Sequence, residues 1–416
     1  MKEKIAIIGG GASGLIAAII AARNNAPVTI YEKNSRLGKK ILSTGNGRCN
    51  FSNKNADISH YHGNDITFMQ DTIDTFWVKE TLTLFEEMGL IFKSEEDGKI
   101  YPYSNQASAV LDILRFEAER LEIPVVYNFE VSKIVRTKNG YSFSAFDGRQ
   151  DFSNRIILAT GGMAAPDTGS CGSGYPLCKM LGHRITKTTP SLVQIKTNGN
   201  FAKSLKGIKT DALVSIGNKN SSQLSSHTLQ PCCIHNKKYK GELLFTDYGI
   251  SGPPVFSLSS YLSEFNTDYV CIDFMPEYSK DDVLSLLKKR TFLSVSLENY
   301  FVGMLNKRLG MALLKASGIS PLSRASSSLT DTELNSLCSS IKDFRLEITG
   351  TLSWNNAQVT AGGVDVLGIN PKTMESLYND GLFFCGELID IDGDCGGFNL
   401  QWAWSSGVIA GKSASK

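Results

Sequence analysis

The residues best suited to chemistry stand near the start of the chain. Gly9, Gly11 and Gly14 form the pattern G-x-G-x-x-G over Gly9-Gly10-Gly11-Ala12-Ser13-Gly14. Each glycine has a physical role. Gly9 permits a tight turn, Gly11 lets backbone approach a pyrophosphate, and Gly14 lets a helix pack close to a sheet. The unpaired N–H groups of the helix start then face the phosphates, with Ala12 and Ser13 among them. Glu32 follows Gly14 by 18 residues, where a carboxylate accepts from the hydroxyls of an adenosine ribose. The competing reading is a glycine-rich turn with Glu32 on a solvated edge. The apolar run before the glycines and the Ala/Leu/Ile-rich run after them favour dinucleotide binding.

These residues need elements to position them. Lys4 to Ile8 reads as a strand, Ser13 to Asn24 as a helix and Val28 to Tyr31 as a second strand, which makes one βαβ unit. A glycine- and asparagine-rich loop, Leu37 to Asn53, follows. Apolar periodicity predicts a long helix over 66–88 and another over 106–121. Pro124 to Tyr127, Glu130 to Thr137, Tyr141 to Phe146 and Phe152 to Ala159 read as strands. Asn139-Gly140 and Asp147-Gly148 join the last three as hairpins. An antiparallel meander therefore precedes Ala159-Thr160-Gly161-Gly162.

That meander favours FAD over NAD, because flavoproteins with two dinucleotide-binding domains carry one that ends in an Ala-Thr-Gly turn. Gly381-Leu382-Phe383-Phe384-Cys385-Gly386-Glu387 resembles their late strand, whose terminal acid binds the ribityl chain; here Glu387 replaces the more usual Asp. The alternative for Glu387 is a surface carboxylate at a strand end. Gly396-Gly397-Phe398 opens the last helix, and its N–H groups and dipole can stabilise negative charge at the flavin N1/O2 edge. No second complete G-x-G-x-x-G occurs, since Gly169, Gly172 and Gly174 have the wrong spacing. NAD(P)H is therefore expected as a transient electron donor.

Composition sets the bounds. The 416 residues are 42% hydrophobic and 20% charged, enough for a sizeable core and two or three domains. A net charge of +2 excludes a supercharged nucleic-acid tail. Nine cysteines, an odd number without a C-x-x-C pair, point to reduced thiols and a cytoplasmic protein. The uncharged run Ile5 to Ala22 superficially resembles a signal peptide, but Gly9 to Gly11 interrupt it, and no stretch reads as a membrane span. Texture divides the chain into 1–190, 191–342 and 343–416. The middle piece reads as β-rich over 191–278 and helical over 279–342. It carries 17 Lys+Arg against 12 Asp+Glu. Its clusters Lys203/Lys206/Lys209, Lys237/Lys238/Lys240 and Lys288/Lys289/Arg290, with Phe201 and Tyr239 nearby, could track phosphates and stack a base, or form merely solvated faces.

Longer motifs are more specific. Gly38-Lys39-Lys40-Ile41 through Ser43-Thr44-Gly45-Asn46-Gly47-Arg48-Cys49-Asn50 is one, and Gly241-Glu242-Leu243-Leu244-Phe245-Thr246 through Gly249-Ile250-Ser251-Gly252-Pro253 another. Thr360-Ala361-Gly362-Gly363-Val364, Thr373-Met374-Glu375-Ser376 and Gly386-Glu387 through Gly396-Gly397-Phe398-Asn399-Leu400-Gln401 complete the set. On these the chain resembles the YhiN-like (BaiN-like) bacterial flavoproteins over nearly its whole length. The resemblance implies an α/β fold: a Rossmann-like, glutathione-reductase-like FAD-binding domain interrupted by a β-barrel-like insert with a small helical subdomain. Family members are linked to reduction of uridine in ribosomal RNA, reduction of enone-type bile-acid intermediates, and oxidation of a small amino ketone. The first two share one logic: hydride from flavin N5 adds to the β-carbon of a conjugated C=C–C=O, and an acid protonates the α-carbon.

The expected substrate is thus a uridine in ribosomal RNA, with a small-molecule enone or amine as the alternative. A third reading is a non-catalytic ribosome-assembly factor that keeps FAD as a structural ligand. In wider relatives the segment after the second strand reaches the isoalloxazine. Cys49, beside Arg48, is accordingly the candidate proton donor, against a bland reading as a buried small hydrophobe. Arg48 and Lys40 suit a pyrophosphate or an anionic substrate. Lys33, Gly47, Val131, Gly397, Phe398 and Asn399 complete the candidate cofactor contacts. Cys395 is the competing thiol, while Cys171, Cys178, Cys232, Cys233, Cys271 and Cys338 read as structural. His60 and His62 form an H-x-H pair without nearby Cys, so no metal is expected. His183, just after a short helix, reads as a partner of that helix dipole.

Overall fold

A computed structural model describes residues 3–218, 237–262 and 268–416. Two compact units emerge: Met1–Ser191 with Trp354–Lys416, and Leu192–Ser353. The chain re-enters the first unit at Trp354, later than the texture change near 343 suggests, because the strand Phe344–Thr351 belongs to the second unit's barrel. A glycine-rich β run does not itself say which sheet it joins.

The first unit is built on a five-stranded parallel sheet. Its order is Leu382–Phe384, Arg155–Leu158, Ile5–Ile8, Val28–Tyr31 and Val125–Val126. The central strand Ile-Ala-Ile-Ile is buried at every position, the mark of a sheet covered on both faces. The helix Ala12–Arg23 is apolar almost all round and correspondingly buried from Ser13 to Ala21. It packs against the C-terminal helix Phe398–Ala414 through small residues. A Cβ on Gly407 would lie 2.6 Å from the Ser13 carbonyl oxygen, and one on Gly411 2.5 Å from that of Ala17. Only glycine allows this approach.

The antiparallel meander comprises Val131–Thr137, Gly140–Ala145 and Gln150–Ser153. The single strand expected over Phe152 to Ala159 is in fact two. Asn154 separates them, and Arg155–Leu158 turns back into the parallel sheet beside Ile5–Ile8. The long helix expected over 66–88 is also broken. A 3-10 turn Ile66–Met69, a helix Gln70–Thr75 and a helix Val78–Glu87 take its place. Phe76 and Trp77 are extended and buried at the break; the Trp77 indole N–H donates to the Ala56 carbonyl at 2.8 Å. Burying two adjacent aromatic rings overrides the helical period.

The second unit holds a closed antiparallel barrel. Its strands run Ile195–Thr197, Gly249–Ser251, Tyr239–Phe245, Lys209–Gly217, Tyr269–Asp273 and Phe344–Thr351, and the last pairs back on the first. The helices Lys280–Thr291, Lys307–Ala316 and Asp331–Lys342 share its core through Val283, Leu287, Leu313 and Ile341. Ser279 with Asp282, and Thr330 with Glu333, form capping boxes at two of these helices. Among the described residues no helix is long and apolar enough to cross a membrane.

Candidate functional site

The glycine loop sits where the first strand ends. Gly9 has φ +108, and a Cβ there would lie 2.5 Å from the Ala159 carbonyl oxygen. A Cβ on Gly14 would come within 1.9 Å of the Gly9 oxygen, so strand and helix touch directly. At Gly11 a Cβ would meet nothing within 4 Å, which leaves open space at the helix N-terminus where a phosphate can approach. Glu32 is buried at the end of the second strand. Its Oε2 accepts from Gly10 N at 2.7 Å, and its Oε1 accepts from Asn34 N at 2.8 Å and Asn34 Nδ2 at 2.7 Å. Asn34 was missed in the sequence; its signal is only that Asx side chains two residues from a carboxylate form local turns.

A second cluster joins segments that are far apart in sequence. Lys40 Nζ lies 2.6 Å from Glu387 Oε2, while Glu387 Oε1 accepts from Thr360 N at 2.9 Å. Thr360 Oγ1 in turn accepts from Met163 N at 2.7 Å and Ala164 N at 3.1 Å, which ties it to the Thr160-Gly161-Gly162 turn. Gly386 donates to Ser406 Oγ and accepts from the Trp402 indole, so the late strand is locked to the C-terminal helix. The buried hydroxyls of Thr160, Ser170 and Tyr175 have no hydrogen-bond partner. Unsatisfied buried polar atoms are costly unless something partners them. Together with the open space at Gly11 and the Glu32 carboxylate, they fit a dinucleotide such as FAD.

The third cluster surrounds the start of the C-terminal helix. Gly397 caps it at φ +96. Asn53 Nδ2 donates to the Gly396 carbonyl at 2.8 Å, and the Tyr61 hydroxyl donates to the Phe398 carbonyl at 2.9 Å. Asn399 accepts from Gly393 N at 2.8 Å and donates to Gly393 O at 2.7 Å. Buried Gln401 links this helix to Ser52 and Thr81, and so holds the glycine- and asparagine-rich loop. Next to this end stands the H-x-H pair, set aside in the sequence only as a metal site. His60 Nδ1 is 3.1 Å from Asp394 Oδ2, and His62 Nε2 is 3.0 Å from Asp394 Oδ1. The antiparallel pair Tyr61–His62 and Asp392–Gly393 makes the approach possible.

The remaining expected residues stand in varied surroundings. Cys49 is fully buried in the core with φ +57, and burial pushes its thiol up to about 12 despite a hydrogen bond from Thr44. Arg48 turns away from it, paired with Glu95 at 3.0 Å and stacked 4.1 Å from the Tyr101 ring centroid. Gly47 lies in an exposed 3-10 turn, and Val131 is buried at the start of the meander. Burial also raises the Cys395 thiol. Lys33 Nζ lies 2.8 Å from the exposed Cys171 Sγ. Cys171 is therefore not a packing residue: burial raises its thiol, but the Lys33 ammonium and the Ser173 hydrogen bonds together outweigh that and lower it. Cys178, Cys271 and Cys338 are buried, and Cys232 and Cys233 lie outside the described residues. His183 is not a dipole partner. It is buried beside Tyr378 and Phe384, bonds Ser376 Oγ at 2.8 Å, and burial lowers it to about 4, so it is neutral.

Of the nine basic residues in the second unit's clusters, four are paired with carboxylates. Lys206 meets Asp247, Lys209 meets Glu242, Lys240 meets Glu277 and Lys288 meets Asp331, all within 2.9 Å. Arg290 donates to the carbonyls of Tyr300 and Val302. Among the described residues no group of three or more His, Cys, Asp or Glu is arranged to hold a metal ion.

Fold and site together define a Rossmann-type, FAD-binding oxidoreductase. Residues 3–413 match the profile of the HI0933-like protein Rossmann domain, and the chain belongs to that family. It is 39% identical to a 3-dehydro-bile acid delta(4,6)-reductase of Clostridium scindens, over all of this chain and 99% of that protein. It is 29% identical to a ribosomal RNA dihydrouridine synthase of Haemophilus influenzae, over 99% of this chain and 98% of the relative. The Escherichia coli protein of that name is 27% identical, over 98% of each chain.

Proposed function

We propose that this protein is an FAD-dependent reductase of carbon–carbon double bonds conjugated to a carbonyl. Its substrate is a small-molecule enone of the steroid-acid type, NAD(P)H is its ultimate electron donor, and it works in the cytoplasm. One observation carries this reading: the full-length likeness, at 39% identity, to a relative named for such a reduction. Four of the nine basic residues in the insert's clusters, Lys206, Lys209, Lys240 and Lys288, are ion-paired, which weakens the case for a phosphate-tracking face there. A lysine held by a carboxylate contributes little net field toward a phosphate backbone. The uridine reading, first in the sequence analysis, thus becomes the second one. It is favoured by the two relatives named as ribosomal RNA dihydrouridine synthases, and uracil is itself a conjugated C=C–C=O.

When bound, FAD supplies the hydride that such a reduction needs. The chain's own residues hold and orient it. The N–H groups at Gly11 to Ser13 face the pyrophosphate, and Glu32 holds the adenosine ribose. Lys40 and Glu387 neutralise one another until the pair opens, which frees a carboxylate for ribityl hydroxyls and an ammonium for phosphate. The N–H groups after Gly397 stabilise negative charge at the far end. The test uses the purified holoprotein with NADH or NADPH and a 3-oxo-4,6-diene bile acid without oxygen. The expected result is a product heavier by two hydrogens per reduced double bond in the mass spectrum. An unreacted steroid, together with loss of dihydrouridine from large-subunit ribosomal RNA on gene deletion, would replace the first reading by the second. Peroxide release from amines without NAD(P)H would sink both.

A further inference from the structure

We propose that His60 is the proton donor of this reduction, with Asp394 and His62 as its positioning residues. The inference rests on the conjugated-bond reading above and adds the residue that completes it. An ionised carboxylate only accepts hydrogen bonds. Both rings therefore donate to Asp394: His60 through Nδ1–H at 3.1 Å to one oxygen, and His62 through Nε2–H at 3.0 Å to the other. With its Nδ1 proton held, His60 has Nε2 as the atom that gains and loses a proton. The Asp394 side chain is 7% exposed and that of His62 11%, whereas that of His60 is 34% exposed. The inner pair is fixed and the outer ring is the one a substrate can meet.

One direct stack and a chain of backbone bonds set the outer ring against the helix end assigned to the cofactor. The His60 ring stacks on Phe398 at 4.3 Å and 15°. Asn399 bonds both backbone groups of Gly393 and also donates to Asp394 O at 3.3 Å. Asp394 N donates to His60 O at 2.9 Å. The first two residues of the closing helix, Phe398 and Asn399, are thus stacked on the His–Asp–His array or bonded to it.

The chemistry balances. Once a hydride has reached the β-carbon, the C=C π bond is broken and an enolate remains. A proton from His60 Nε2 forms the α C–H bond and restores the carbonyl. The neutral ring is then reprotonated from water. Both electrons would come from bound FAD, with NAD(P)H as its supply under the proposal above. Cys49, fully buried in the core, does not offer this proton.

The test compares two acceptors in flavin-loaded wild type, H60N, H60A, H62N and D394N, with NAD(P)H in excess. The 3-oxo-4,6-diene bile acid needs a proton delivered to carbon, whereas ferricyanide needs electrons alone. H60N should lose on the order of 10²-fold or more of steroid reduction and keep ferricyanide reduction within about twofold. Added imidazole should partly restore H60A. H62N and D394N should lose less than H60N and also spare ferricyanide. A readout independent of turnover is the ¹⁵N spectrum of histidine-labelled protein. It should show neutral His60 protonated at Nδ1, and D394N should abolish that preference. Unchanged steroid reduction in H60N, a parallel loss with both acceptors, or a neutral His60 protonated at Nε2 would overturn the assignment alone. A wild type that reduces ferricyanide but neither the steroid nor uridine in ribosomal RNA would overturn the conjugated-bond reading, and the proton donor with it.

Discussion

Glu32 holds three N–H groups with two oxygens, one from Gly10 in the glycine loop and two from Asn34 just after the second strand. Glu32→Gln keeps the volume but turns one acceptor into a donor. Hydrogen bonds to charged groups contribute about 1.5–3 kcal/mol, so FAD should bind roughly 10- to 100-fold more weakly, which calorimetry of the reconstituted apoprotein would measure. Unchanged affinity would remove Glu32 from the ribose. Cys49→Ala makes the opposite forecast: turnover within about twofold of wild type, with only a small loss of stability. A tenfold fall in product formation would return the thiol to the chemistry. His183 has a pH signature. Burial lowers its folded value to about 4, while the unfolded ring titrates near its ordinary 6.5. The unfolded chain thus binds the proton first as pH falls. Stability from the neutral buried ring is present above about 6.5 and is lost progressively down to about 4. The melting temperature of His183→Gln should therefore fall less steeply than that of wild type across that window, and identical slopes would contradict the assignment. At this scale the glycine loop and Glu32 were legible because they are local. The Lys40–Glu387 pair and the Asp394 cluster were not, since each joins residues more than 330 positions apart.

At the scale of elements, the helix Ala12–Arg23 and the closing helix Phe398–Ala414 meet backbone to backbone at Gly407 and Gly411. Gly407→Ala sets a methyl 2.6 Å from the Ser13 oxygen, inside any real contact, so the helices must separate. Overpacking of this kind costs about 1–3 kcal/mol. The melting temperature should fall by several degrees, and flavin affinity should fall with it, because Ser13 begins the helix whose N-terminus faces the phosphates. A stable Gly407→Ala variant with normal flavin content would show that the two helices are not tightly coupled. The first helix was readable from its Ala/Leu/Ile-rich run, and the last from the glycine pair that opens it at Phe398. Their mutual contact was not, because glycines in a helix also read as weak points. The broken helix between Thr75 and Val78 shows the same limit. Local period said helix, and the burial of Phe76 and Trp77 overruled it.

At the scale of the whole molecule, each unit owns its core: one cluster runs from the parallel sheet into the closing helix, and the other from the barrel into its three helices. The texture change near Pro190 was visible because parallel core strands give way to short strands with polar turns. The return was harder to read, since the barrel's closing strand carries the same β-like pattern as the segments after it. The point of insertion has a further property. Thr189–Ser191 pairs antiparallel with Val359–Ala361, Ser191 opposite Val359, within the first unit. The two chain ends flanking the insert are thus held side by side by backbone hydrogen bonds, as in a hairpin whose turn has grown to a whole unit. Loop-closure entropy rises only slowly with loop length, so a large insertion there costs the first unit little, and its removal should cost little too. Replacing 192–353 with a short Gly/Ser linker should leave a protein that folds, binds FAD within about tenfold of the full chain, and reduces ferricyanide with NAD(P)H. Absorbance of the bound flavin and a cooperative melt would report this. A failure to bind flavin would mean that the two cores do not fold independently.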